Sequence, residues 1–201
     1  MKTDIIAVSA RGDRLEAALK QADKVAAYKD MPPKSALQLR LLTEEMMGMM
    51  RSITGEPEGT FWIEDNEGLY ELHLQVRTLL SSERKEKLLS ASSSGKNESA
   101  RGLMGRLREF FDWGADDDYT AYAGPLVMPD MFEQTSSPML DWEWSMTRYE
   151  SALYARVEKG DSEAKDAWDE LEQSVVKHVA DDVKVAIRSG IAEMIILKRF
   201  A

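Results

Sequence analysis

The sequence predicts an α+β fold: a two-layer sandwich of a mixed, mostly antiparallel sheet with helices on one face, plus a helical insertion. Three observations predict it. Two β-rich hairpin signals, GTFWIEDNEGLYELHLQVRT and VKVAIRSGIAEMIILKRF, sit far apart in the chain. Apolar residues recur at helical spacing between and around them. Within 69–78, Leu72, Leu74 and Val76 alternate with Glu71, His73, Gln75 and Arg77. That pattern buries one face of a sheet and wets the other.

The elements follow in order. Residues 5–9 form a short apolar strand, closed by Arg11-Gly12-Asp13. Asp13 is expected to cap a helix over 14–30 whose stripe is Leu15, Ala18, Leu19, Ala22, Val25 and Ala26. Pro32-Pro33 breaks the pattern and opens a second helix, LQLRLLTEEMMGMMRSITG, ended by Gly55. Its core stripe is Leu39, Leu42, Met46, Met49, Met50 and Ile53. Strands over 59–65 and 69–78 are joined by the tight-turn signal Asn66-Glu67-Gly68. A charged helix over 82–89, a small-residue loop over 91–97 and a helix over 97–111, capped by Asn97, come next. Residues 112–137 lack periodicity and read as an irregular excursion. Helices are expected over 138–159, carrying Trp142 and Trp144, and over 162–180, with Trp168, Leu171, Val175 and Val179 on one stripe. Strands over 183–187 and 191–197 close the chain around Ser189-Gly190, and no internal repeat is detectable in the sequence.

Composition narrows the function. A chain of 201 residues fits one domain, with room for an insertion. The net charge of −10 argues against general nucleic-acid binding, which needs clustered Lys and Arg. An acidic surface serves mainly solubility, and its sharper reading is a basic protein partner. The absence of cysteine excludes disulfides, thiolate metal sites and cysteine nucleophiles, and fits a cytoplasmic protein. The start of the chain has too short an apolar run for a signal peptide, and no segment approaches the roughly 18 apolar residues of a membrane span. His73 and His178 are the only histidines, on separate elements, and no Ser/His/Asp arrangement can be assembled from them. Asp116-Asp117-Asp118 lacks the spaced ligands of a calcium loop.

The order β-α-α-β-β-α-α-loop-α-α-β-β resembles the ATP-binding domain of the histidine-kinase-like (GHKL) superfamily, in particular its anti-sigma-factor serine-kinase branch. The resemblance covers roughly residues 3–111 and 181–199, and implies that 112–180 is a helical and irregular insertion within the single domain. LLTEEMMGMM looks like the family's glutamate-bearing box, and GKNESARGLMGRL looks like its Gly-rich loop leading into a helix. It implies a regulatory ATP-binding protein with Glu45, or its neighbour Glu44, as general base. It also implies that Ser94, Gly95, Lys96, Asn97, Gly102 and Gly105 cradle the phosphates. From the residues alone, this loop and helix start could hold an anion on backbone N–H groups and Lys96, or could be an ordinary surface loop.

Two family signatures are replaced. The metal-holding asparagine belongs four residues after the glutamate, where Gly48 and Met49 stand. Neither offers the oxygen that Mg²⁺ needs. The adenine-binding Asp-x-Gly-x-Gly is replaced by VRTLLSS. ATP is therefore the implied cofactor, with Mg²⁺ coordination doubtful and catalysis impaired or absent. The alternative is a member of the fold that has lost nucleotide and acts as a protein-interaction module. It would bind its partner through 112–180, and a homodimer is compatible with it.

Overall fold

The computed structural model describes residues 1–9, 12–54, 58–77, 143–188 and 191–200. The expected elements over 82–89, 91–97, 97–111 and 112–137 lie outside them, as do Gly55 and Trp142. Six strands, β1 (Ile6–Ser9), β2 (Glu58–Asn66), β3 (Leu69–Arg77), β4 (Glu143–Ser145), β5 (Asp182–Arg188) and β6 (Ile191–Arg199), form one sheet in the order β1-β2-β3-β6-β5-β4. The expected α+β fold is present, and its sheet, expected to be mostly antiparallel, is antiparallel in every pairing among the described strands.

Helices α1 (Asp13–Tyr28), α2 (Pro33–Thr54), α3 (Met146–Val157), α4 (Ser162–Glu172) and α5 (Val175–Val179) supply the second layer. Their buried residues, among them Ala22, Leu39, Leu42, Met46, Leu153 and Leu171, share one core with Phe61, Ile63, Leu72, Leu74, Val183, Val185, Met194 and Ile196 from the sheet. Each fully buried Leu, Ile or Phe contributes about 1.5–3 kcal/mol. This core therefore positions everything else.

Local physics decides the boundaries. Helix α1 starts one residue before the expected position, so Asp13 is its first residue and not its cap. Gly12 is the cap, at φ 67° and ψ −152°, and no side chain bonds the free N–H groups. The β2–β3 hairpin turns through Glu67 and Gly68 at φ 54° and 87°, the doubly positive geometry that matches the twist of its strands. Asp65 closes the turn by accepting from the Gly68 N–H at 2.9 Å.

Two expectations fail in the second half. The expected helix over 138–159 begins only at Met146. Glu143–Ser145 instead pair with β5, and Trp144 turns into the core at 8% exposure. The Ser145 hydroxyl accepts from the Arg148 N–H at 3.3 Å and starts α3. The expected helix over 162–180 is two helices broken at Gln173 and Ser174. The break shifts the phase by one residue, so Val176 is buried at 2% while Val175 is 41% exposed. Residues 143–180, part of the expected insertion, thus give the sheet an edge strand and the core three helices.

A repeat absent from the sequence is present in the topology. Each half runs strand, helices, hairpin, and the halves meet where β3 pairs with β6. Both hairpins leave two residues between their last paired positions, Asn66↔Leu69 and Arg188↔Ile191. Counted from their turns, Leu72 corresponds to Met194, Leu74 to Ile196, Glu71 to Glu193 and His73 to Ile195. His73 and Ile195 are also opposite one another in the β3–β6 ladder. They therefore sit on the pseudo-two-fold axis relating the halves.

Candidate functional site

Helix α2 carries the glutamates expected to act on nucleotide. Glu44 is exposed and Glu45 half-buried. Around them Met46, Met47, Met49 and Met50 are all buried, at 0%, 1%, 3% and 0% exposure. Of the two positions that could carry the metal-holding asparagine, Met49 is committed to the core and Gly48 faces open space. Arg40, five residues before Glu45, pairs with Asp23 on α1. Ser94, Gly95, Lys96, Asn97, Gly102 and Gly105 lie outside the described residues, as do Thr78 and Asp116-Asp117-Asp118.

The structure assembles a different cluster, on the sheet face opposite the helices. Strand alternation points Trp62 and Glu64 of β2, Glu71 and His73 of β3, and Glu193 of β6 to this face. The rings of Trp62 and His73, directly paired across β2 and β3, stack with centroids 4.7 Å apart and planes 6° apart. The Lys2 ammonium lies over the Trp62 ring, 5.0 Å from its centroid. His73 is 7% exposed, which corrects the expectation of a wet position. Both of its ring nitrogens are buried and make no hydrogen bond. Nε2 stands 3.3 Å from Glu71 and 3.9 Å from Glu64; Nδ1 stands 3.5 Å from Glu193. Glu64 accepts from Trp62 Nε1 at 2.8 Å and pairs with Lys2 at 2.9 Å. The Lys2 and Trp62 hydrogen bonds hold its carboxyl below its ordinary pKa.

Sequence reasoning placed Glu71 and His73 on one face but could not find Glu193. That residue reaches the histidine only through the β3–β6 pairing, which joins distant parts of the chain. The family resemblance also drew attention to α2 and away from this face.

Other polar groups are engaged structurally. Lys29 pairs with Asp65, whose carboxyl is held below its ordinary value first by that contact and then by the Gly68 N–H. Burial pushes Asp181 up, but Lys198 and the Arg199 N–H outweigh it and leave it lowered. His178 lies at the surface with Nε2 2.6 Å from the Glu172 carbonyl. Among the described residues, no three His, Asp or Glu side chains converge to hold a metal ion, and no helix is long and apolar enough to cross a membrane. No protein-family model and no curated protein sequence matches this chain.

The strongest unexplained pattern lies beside the histidine. On β6, Ala192, Met194 and Ile196 are buried against the helices, yet three outward positions are apolar as well: Ile191, Ile195 and Leu197. Ile191 is 39% exposed and the other two are partly exposed. β3 has Leu69 outward at its hairpin end and polar residues at outward positions 71, 73, 75 and 77. On the sheet face opposite the helices, β6 therefore breaks the alternation that a solvated antiparallel face follows.

Proposed function

We propose that this chain is a protein-interaction module built on a two-layer α+β frame, and that it does not process nucleotide. The observation that carries this reading is β6, which buries Ala192, Met194 and Ile196 and also places Ile191, Ile195 and Leu197, on either side of Glu193, on the outward face. Apolar side chains repeated along an outward strand face mark a surface that a partner covers. The methionines of α2 support it, because side chains committed to core packing leave the half-buried Glu45 without the oxygen ligands that phosphoryl transfer requires. The binding surface is assigned to the sheet face opposite the helices. Of the expected partner segment 112–180, residues 143–180 are already used in the core.

Melting in the presence of ATP, ADP and Mg²⁺ tests the reading. A nucleotide binder at a hundredfold excess over Kd gains about 2.7 kcal/mol, which raises the Tm of a domain this size by roughly 5–10 °C. No shift is expected with either nucleotide, with or without the metal. A rise of that size overturns the proposal in favour of ATP binding by a GHKL-type site.

A further inference from the structure

We draw no further inference here: the strongest candidate, the side-chain cluster of His73 with Glu64, Glu71 and Glu193 on the sheet face opposite the helices, carries nothing, because its ring nitrogens are buried and nothing in the structure shows what covers that face.

Discussion

At the residue scale, the informative side chains are those whose contacts join separate elements. Asp65 accepts from Gly68 at the hairpin turn and pairs with Lys29 from α1, so one carboxylate ties a turn to a helix. Its pKa is lowered in the folded chain, so its stabilisation is fully present above the ordinary aspartate value of about 3.9 and is lost as pH falls through the folded value. Asp65→Asn should keep the turn acceptor and lose the ion pair. We expect a lower Tm than wild type at neutral pH and a deficit that narrows as the pH drops below about 4; thermal melts from neutral to acid pH check it. Gly59 is constrained by space alone. A methyl group there would stand 2.6 Å from the Gln75 carbonyl oxygen and 3.1 Å from Val76. Gly59→Ala should therefore cost about 1–3 kcal/mol by overpacking, measured as a drop in the urea midpoint.

At the element scale, the β2–β3 hairpin offers a gain. Glu67 holds φ 54° in the turn, a conformation that costs an L-residue roughly 1–2 kcal/mol and that asparagine adopts more readily. Glu67→Asn should recover part of that and raise Tm by a few degrees in calorimetry. The elements also show what was legible. Helices α1 and α2 and both hairpins were readable because each carries a full stripe or alternation and ends in Pro or Gly. The strand at Trp144 was not, because three residues give no period. Only pairing with β5 makes them a strand. The break at Gln173 and Ser174 was hidden because Val175 and Val176 are equivalent in the sequence and only tertiary packing chooses which is buried. At the site, Glu71 and His73 were legible from alternation, and Glu193 was not.

At the whole-molecule scale, the described residues form two similar halves fused through one central ladder. Residues 143–180 belong to that plan, since Trp144, Met146, Tyr149, Leu153, Ala164, Leu171 and Val176 lie in the common core. Their deletion should abolish the cooperative melting transition, leaving no sigmoidal change in circular dichroism. A retained transition would show that the first half, with β5 and β6, suffices.

The β3–β6 ladder also sets a clock. Each hairpin closes a turn of two residues, an event of microseconds. Joining Leu69 to Arg199 and Arg77 to Ile191 must wait until a loop of more than a hundred residues closes. Contacts that distant in sequence are slow to form. Refolding should therefore be limited by the docking of two preformed halves. In stopped-flow experiments, Leu74→Ala at the seam should slow refolding, whereas Glu67→Asn should act mainly on unfolding.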